Sequence, residues 1–441
     1  MNITSSNFFG TYKDIEPNAI QLAQNAFMND KRSASADTPP EERKHSAAQG
    51  FLLNPEVQQT KDLDGNPINN ELGSIFEMKS IREAIKRAAN DLIAHPDLRR
   101  YLGPGDKQLL TVEKLTREVI FGKDDPRIVT VPVPGMAFGF KETAEIIHKA
   151  HPEIDTVIKG SNGYGGYNGV LSKLFRNLET YRHSTDDRKF DFDSFEATLR
   201  GLDDPSKVML LLQADAYNYI GVNPTSEQKK QMVELIEELG ILTLVDSAYQ
   251  GLVKGVDEDV EIARMLAETD APFITYDSYS KKAQLYGMRV GFLHFATGNE
   301  EQAKILRKNL FAQLRNNILT GTINFRVVFQ LLNDPELRKI WLEEDVPAAR
   351  SILVETKTEM SELLGEGFEF VHPDATQGMF NGFPISHEGG KWMQEKGLYV
   401  VDAMNEDTGK EALRINMGSL AKDSRAHVAG IIKEAYEKFG V

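Results

Sequence analysis

Short apolar runs alternate with helical segments through the middle of this chain, and this alternation limits the folds open to it. Four runs have the texture of strands: VMLLLQADAY from Val208, ILTLVDSAY from Ile241, PFITYDSYSK from Pro272 and VGFLHFA from Val290. Strands of a parallel sheet are continuously apolar because helices cover both faces of the sheet. Between the first two runs, EQKKQMVELIEELG is typical of a helix that ends at Gly240. The pattern predicts an α/β protein with a mostly parallel, doubly wound sheet.

The two ends of the chain have a different texture, which predicts a second domain. A chain of 441 residues, 41% hydrophobic, exceeds what one small core usually holds. We expect a large α/β domain over residues 61–345 and a smaller α+β domain, with an N-terminal arm, from residues 1–60 and 346–441. In the C-terminal part we predict a helix through about Leu364, short strands near FEFVHP and ALRINMGS, and a closing helix from Ser424.

Composition excludes several classes of site. The chain has 66 acidic and 51 basic side chains and a net charge of -15, which opposes binding to nucleic acid. With no cysteine, the chain holds no disulfide, thiolate zinc site or iron-sulfur cluster. The N-terminus lacks a basic start and an apolar core, and no window approaches 18 apolar residues. We expect a cytoplasmic protein with no membrane partner and no metal site.

Three adjacent predicted strands end in polar residues. In parallel sheets ligands bind at the carboxyl ends of the strands, so these ends are the candidate site. Any one of them is a weak signal, because a strand-ending aspartate is commonly a helix cap and a lone lysine is commonly a solvated charge. The three ends, in chain order, are Asp215-Ala-Tyr-Asn218, Asp246-Ser-Ala-Tyr249 and Ser278-Tyr-Ser-Lys281.

The segments VDSAYQGL, SYSKKAQLYGMRVG and LRINMGS, in this order, resemble the fold-type I pyridoxal-phosphate enzymes, and within them the aspartate and aromatic aminotransferases. The similarity extends in diluted form over nearly the whole chain. It implies pyridoxal 5'-phosphate as cofactor and a homodimer with active sites at the interface. It also implies a ping-pong reaction in which an acidic or aromatic L-amino acid gives its amino group to a 2-keto acid, taken to be 2-oxoglutarate.

The resemblance assigns chemistry to the strand ends. Lys281 would form the imine with the cofactor aldehyde and, once released, move the substrate α-proton. Asp246 would pair with the pyridine nitrogen and keep it protonated, since a carboxylate at that position stabilises the cationic ring. Tyr249 and Asn218 would hydrogen-bond the phenolic oxygen of the ring. Asn218 is also assigned to the substrate site.

Phosphate requires backbone donors and fixed positive charge. By the same resemblance Arg289 is the phosphate arginine, and Ser278 supplies a hydroxyl. The turn that contains Gly135, Met136 and Ala137 precedes a predicted helix, so its amides would face the phosphate. The family usually has Ser-Gly-Thr there, and this chain lacks both hydroxyls.

Four further residues are assigned by position. Arg414 in LRINMGS would bind the substrate α-carboxylate through its two-pronged guanidinium. Gly50 matches a glycine that allows close backbone approach to the substrate. Tyr101 matches a tyrosine that reaches the neighbour's phosphate across the dimer. Arg315 falls where dicarboxylate-specific members bind a distal carboxylate, although the following family pattern is absent and an exposed helical arginine is the alternative reading.

Two tyrosines stand where the aspartate enzymes have a ring-stacking tryptophan and a histidine. Within GSNGYGGYNG, Tyr164 would stack on the pyridine ring, and Tyr167 would replace the histidine that supports Asp246. Which of the two stacks on the ring is left open by the sequence. A flexible glycine-rich loop with incidental tyrosines is the alternative.

Other functions of the same fold share these residues. A pyridoxal-phosphate-dependent lyase or decarboxylase would use the same constellation. A ligand-sensing regulator usually adds a basic DNA-binding module, and none is visible here. A catalytically dead relative is disfavoured because the lysine and its partners are all present.

Overall fold

The computed structural model describes residues 18–32, 34, 38–48, 50–53, 75–99, 103–314 and 322–441, apart from the side chain of residue 314. The α-helices of these ranges alternate with strands through the middle of the chain. They are α1 Ala19–Asn29, α2 Lys79–Ala94, α3 Lys107–Phe121, α4 Met136–Ala150, α5 Asn168–Leu174, α6 Phe192–Arg200, α7 Ser226–Leu239, α8 Glu261–Ala267, α9 Tyr279–Lys282, α10 Glu300–Leu314, α11 Thr322–Asn333, α12 Pro335–Ile340, α13 Val346–Leu364, α14 His387–Glu395 and α15 Arg425–Phe439.

The strands form three sheets. They are β1 His45–Ser46, β2 Ile128–Val133, β3 Thr156–Gly160, β4 Asn177–Tyr181, β5 Val208–Gln213, β6 Leu242–Asp246, β7 Phe273–Ser278, β8 Gly291–Ala296, β9 Phe380–Phe383, β10 Leu398–Tyr399, β11 Val401–Asn405 and β12 Lys410–Asn416. The large sheet has the order β2-β8-β7-β6-β5-β3-β4. Strand β8 is antiparallel to β2 and β7, and the other neighbours pair in parallel. The predicted mostly parallel α/β sheet is confirmed.

The central strands are buried because helices cover the sheet. Strand β7 is buried along its whole length, and β5 is buried except at its last residue. The register aligns the strand ends, since Asp246 lies opposite Gln213 on one side and Tyr276 on the other. The side chains that follow β5, β6 and β7 therefore reach the same edge of the sheet.

Sequence signals placed the ends of helix α7 correctly. Thr225 and Gln228 form a reciprocal capping box at its start, and Gly240 adopts the left-handed conformation that closes it. Helix α2 buries one face, which carries Ile81, Ala84 and Ala88. The strand predicted near FEFVHP is wrong, because Glu369–Val371 is a 3-10 helix. The alternation of aromatic and charged residues there does not reflect a strand.

A second sheet and a second apolar cluster lie in the C-terminal part. Strands β11, β12 and β9 form an antiparallel three-stranded sheet. Its buried residues cluster with those of α14 and α15, apart from the large cluster around the seven-stranded sheet. Helix α13 links the two clusters, since Val346 belongs to the first and Leu364 to the second. This arrangement supports the two-domain prediction, whose boundary at residue 345 stays a prediction.

Within the described ranges, no helix is both long enough and apolar enough to cross a bilayer.

Candidate active site

A cavity of about 370 Å³ opens at the carboxyl ends of β5, β6 and β7. Gln213, Asp246 and Ser278, at the ends of these three strands, all contribute to its wall. Residues from distant parts of the chain complete the wall, including Gly50 and Arg414. The structure therefore brings most of the sequence-predicted residues into one place.

Lys281 projects into this cavity from the single turn of α9. Ser278 caps that turn, because its hydroxyl accepts a hydrogen bond from the Ser280 amide at 3.2 Å. The Lys281 amine donates to the Gly50 carbonyl and lies 4.5 Å from the centre of the Tyr286 ring. Among the described residues it forms no ion pair with a carboxylate, so its surroundings disfavour the charged form.

Burial lowers the pKa of the Lys281 amine to about 7, and the positive charges of Arg414 and Arg289 lower it in the same direction. A lysine in water has a pKa near 10.4. At neutral pH a large fraction of this amine is unprotonated and able to act as a nucleophile.

Asp246 closes β6 beside the amine. One carboxylate oxygen accepts a hydrogen bond from the Tyr167 hydroxyl, and the other accepts the Ala248 amide at 2.9 Å. Burial raises the pKa of the Asp246 carboxyl, while these two hydrogen bonds oppose the rise. The prediction that a phenol takes the place of a supporting histidine agrees with this contact.

Tyr249 and Asn218 lie together on the cavity wall. The Asn218 side-chain amide donates to the Tyr249 hydroxyl at 3.0 Å. Burial raises the pKa of the Tyr249 hydroxyl. The phenol is therefore a neutral hydrogen-bond donor at physiological pH.

The tyrosines of the glycine-rich loop both line the cavity. Their rings meet edge to face, with centroids 5.2 Å apart and an interplanar angle of 89°. The Tyr167 hydroxyl donates a hydrogen bond to Asp246. Tyr164 is therefore the tyrosine of this pair whose ring is not held by Asp246.

Arg289 and the start of α4 form a cationic corner of the cavity. Gly135, Met136 and Ala137 make the turn that enters α4, and Gly135 offers no side-chain cap to the first amides of the helix. Gly135 has φ of +79° and lies so close to the Arg289 guanidinium that a Cβ atom there would sit 2.9 Å from the guanidinium carbon. Free helix amides beside an arginine suit a phosphate.

Arg414 enters the cavity from β12 and is buried, with 6% of its surface exposed. Its guanidinium donates to the Ala48 backbone carbonyl at 2.8 Å and to the side-chain oxygen Oδ1 of Asn218 at 3.5 Å. The group lies 4.5 Å above the Phe380 ring, and its Nε has no hydrogen-bond partner among the described residues. A buried guanidinium with spare donors suits a carboxylate ligand.

The structure does not place some of the predicted site residues at the cavity. Tyr101 and Arg315 lie outside the described residues. Asp215, which belongs to the predicted polar end of the first strand, does not line the cavity. Its carboxylate accepts a hydrogen bond from the buried Lys229 amine at 2.6 Å. Gln213 is the last residue of that strand.

A profile of the family described as aminotransferase class I and II matches residues 75–432. That is well over half of the chain. The chain belongs to this aminotransferase family.

Named relatives agree with this assignment. An aspartate aminotransferase from Salmonella typhi is 25% identical over 361 residues, covering 78% of this chain and 86% of that protein. The structure of an aromatic amino acid aminotransferase from Burkholderia cenocepacia matches with a TM-score of 0.80 and 22% identity, covering 98% of this chain and 100% of that one. The aromatic-amino-acid aminotransferase from Burkholderia pseudomallei, solved covalently bound to pyridoxal phosphate, gives 0.76 and 22%, covering 97% and 99%.

These matches confirm the predicted aminotransferase family, whose members depend on pyridoxal phosphate, and the predicted fold. Sequence reasoning missed several aromatic residues of this aminotransferase's cavity, among them Tyr286 and Phe380. Tyr286 stands between Lys281 and Arg289 in the quoted motif, so its position was a usable signal. Phe380 comes from β9, and only its contact with Arg414 reveals it.

Proposed function

We propose that this aminotransferase uses pyridoxal 5'-phosphate, held by the residues around Lys281, to move an amino group from an acidic or aromatic L-amino acid to 2-oxoglutarate. The observation that carries the proposal is the Lys281 amine, with a pKa lowered to about 7, in one cavity with Asp246 and Arg414. The residues present fit the cofactor, because the cavity offers a carboxylate, an aromatic ring and a cationic corner with uncapped helix amides.

Lys281 is the proposed attachment point and proton carrier. Its unprotonated amine would be the nucleophile that holds the aldehyde group of the cofactor. Nζ would also accept the substrate α-proton and later return it, as general base and then acid. When bound, the cofactor supplies a ring that delocalises the negative charge left on the substrate α-carbon.

Asp246 and its neighbours hold the ring end of the site. The carboxylate would pair with the pyridine nitrogen and favour a protonated ring. The Tyr167 hydroxyl stabilises the charged form of that carboxylate, because its hydrogen bond opposes the rise in pKa that burial causes. Tyr249 and Asn218 donate toward the phenolic oxygen, and Tyr164 provides an aromatic face.

The two arginines of the cavity bind different anionic parts of the ligands. Arg289, with Ser278 and the amides at Gly135, Met136 and Ala137, holds the phosphate. Arg414, with Asn218 and the Gly50 backbone, holds the α-carboxylate. The separation of the two guanidinium groups fixes which end of the ligand faces Lys281.

Parts of the proposal rest on the resemblance alone. These are the role of Arg315 in reading a distal carboxylate, the role of Tyr101 at a neighbour's phosphate, the homodimer and the cytoplasmic location. The ping-pong order is that of the family.

The test of the proposal is a spectrum and an amino-group balance. Purified protein mixed with pyridoxal phosphate should develop a visible absorption band that persists through gel filtration. Incubation with L-aspartate or L-phenylalanine and 2-oxoglutarate should then yield L-glutamate. A colourless protein, or a coloured one that forms no glutamate from any proteinogenic amino acid, would contradict the proposal.

The same assay separates the alternative chemistry and the donor class. A lyase or decarboxylase consumes the amino acid without forming glutamate. Comparing aspartate with phenylalanine as donors, in the native chain and in Arg315→Ala, tests the distal-carboxylate role. Aspartate activity unchanged by the substitution would remove that role.

A further inference from the structure

The hairpin of β11 and β12 reaches across to the seven-stranded sheet through its turn. The Glu406 carboxylate lies 3.0 Å from the Lys159 amine, at the end of β3. It also accepts the Asn162 amide at 2.7 Å, and the Glu406 amide donates to the Asn162 side chain at 2.7 Å. Two segments 244 residues apart in the chain are thus joined by reciprocal hydrogen bonds and an ion pair.

Two further contacts belong to the same junction. The Asn162 side-chain amide donates to the Asp407 carboxylate at 2.6 Å. The Tyr219 hydroxyl donates to the Met404 carbonyl at 2.7 Å. We call these contacts, together with those of Lys159 and Glu406, the hairpin clasp.

The clasp is partly shielded from water. The Lys159 side chain is 7% exposed and the Glu406 side chain 30%. Charge-assisted hydrogen bonds in such surroundings are stronger than those of an exposed surface pair. Neither Lys159 nor Glu406 lines the cavity, so the two residues act on it only through the elements that they join.

Both sides of the clasp lead directly into the cavity. On one side, Asn162 stands two residues before Tyr164, and Tyr219 directly follows Asn218. On the other, the hairpin strand β12 carries Arg414, which lies opposite Val401 of β11.

A second packing contact strengthens this link. Arg414 is paired across the sheet with Gly382. The Tyr219 ring lies against that glycine, where a Cβ atom would approach it to 2.7 Å. The position of the Arg414 strand is thereby tied to the loop that carries Asn218.

We propose that Lys159 and Glu406 are positioning residues, which set Arg414 at the correct distance from Asn218 and from the Tyr164 loop and so tune binding of the substrate α-carboxylate. This inference rests on the proposed function, in which Arg414 holds that carboxylate. A shift of the hairpin displaces the Arg414 guanidinium on β12, while Lys281 on α9 and Asp246 on β6 stay in place. The expected signature is weaker substrate binding with unchanged cofactor binding.

The experiment compares Lys159→Met, Glu406→Gln and the double variant with the native holoenzyme. Each single variant should raise the KM for 2-oxoglutarate about 3- to 30-fold, the range of moderate couplings between sites. The calorimetric dissociation constant of 2-oxoglutarate for the amino form of the holoenzyme should rise by the same factor. The kcat and the absorption spectrum should stay within about twofold of the native values, because Lys281 and Asp246 are not displaced.

Two comparisons separate positioning from general loosening. Lys410→Met is the matched control and should leave the KM unchanged, because Lys410 is exposed at the start of β12 and its side chain has no hydrogen bond or ion pair among the described residues. The double variant should raise the KM no more than the more damaging single variant does, because both substitutions break the same contact between Lys159 and Glu406. Glu406→Gln changes a partly exposed side chain by one group, so it carries the test if Lys159→Met does not fold.

The outcomes distinguish this inference from the function on which it rests. A native protein with no absorption band or no glutamate formation overturns the proposed function. If the native protein is active, an unchanged KM in Glu406→Gln overturns the positioning role and leaves the proposed function standing. The same conclusion follows if the KM increases of the two single variants multiply in the double variant. A fall in kcat together with loss of the absorption band also overturns it, since that result places the damage at the cofactor.

Discussion

Two neighbouring lysines of α9 lie in opposite surroundings. Lys281 faces the cavity, and among the described residues it has no carboxylate partner. Lys282 faces the core, is fully buried, and forms an ion pair with Asp277. Adjacent residues of a helix point about 100° apart, so one step along the chain takes the side chain from the cavity wall into the protein interior.

The core lysine is surrounded by partners. Its amine also donates to Gln250 at 2.7 Å, and its carbonyl accepts the Trp341 indole N–H at 3.1 Å. Burial alone would raise the pKa of the Asp277 carboxyl, but the charge of Lys282 holds that pKa below its usual range. Asp277 stays ionised, and its ion pair with Lys282 has a structural role.

The contrast teaches how environment decides the use of a side chain. The buried Lys282 opposite Asp277 serves the fold: burial lowers the pKa of its amine, and the ion pair with Asp277 opposes that fall. A lysine whose charged neighbours are Arg414 and Arg289 loses its proton near neutral pH and is available for chemistry. Residue type alone does not separate the two.

The largest effect should come from Lys281→Ala. Removing the amine removes both the attachment point and the proton carrier, so kcat/KM should fall by at least about 10⁴-fold. The visible band should be lost while the unfolding midpoint changes little. Retention of the covalent cofactor band in this variant would show that another amine holds the cofactor.

Lys282→Met should spare the chemistry and damage the fold. It removes the lysine partner of the buried Asp277 carboxylate, which costs about 3–5 kcal/mol of unfolding free energy. Denaturant unfolding of the cofactor-free protein measures this. Lys422→Met, which breaks an exposed pair with Glu355, is the control and should cost less than about 1 kcal/mol. Equal losses in the two variants would refute the contrast.

Tyr167→Phe should weaken the electron sink without unfolding the protein. Loss of a hydrogen bond to a charged group is worth about 1.5–3 kcal/mol, which corresponds to a 10- to 100-fold lower kcat. That bond lowers the pKa of Asp246, so its removal raises the pKa further. The carboxylate is then protonated at higher pH, and the acidic limb of the kcat profile should move to higher pH.

A matched substitution sharpens this prediction. Tyr167→His offers a hydrogen-bond donor again and should recover part of the lost kcat. An acidic limb that stays in place in Tyr167→Phe would mean that the phenol does not control Asp246.

The smallest expected effect is a pH dependence of cofactor uptake. With the pKa of Lys281 near 7, the unprotonated fraction of the amine, and with it the rate of covalent uptake, should rise about tenfold between pH 6 and 8 and then level off. Stopped-flow absorbance on the cofactor-free protein measures this rate. A rate that keeps rising beyond pH 9 would indicate an ordinary lysine and would remove the contrast with Lys282.

Strands were predicted correctly from the sequence where a run is mostly apolar. They were missed or predicted wrongly where apolar and charged residues are mixed. The runs that form β5 to β8 are mostly apolar, so the sequence predicts them as strands. Strands β3 and β4 were not predicted, because TVIKG contains a lysine and NLETY lies at the edge of the sheet with mostly exposed side chains. At the other end of the chain, the alternation in FEFVHP suggested a strand, but the segment forms a 3-10 helix.

The sequence by itself determined the order of the strand ends, the resemblance to a cofactor-dependent family and the residues proposed to handle the chemistry, because these depend on motifs only a few residues long. The tertiary structure decided which of two adjacent lysines meets the cavity, and that Tyr167 supports Asp246. It also decided that Glu406 meets Lys159 across the fold. Such contacts join segments far apart in the chain, so they exist only after the sheet register and helix packing have brought those segments together.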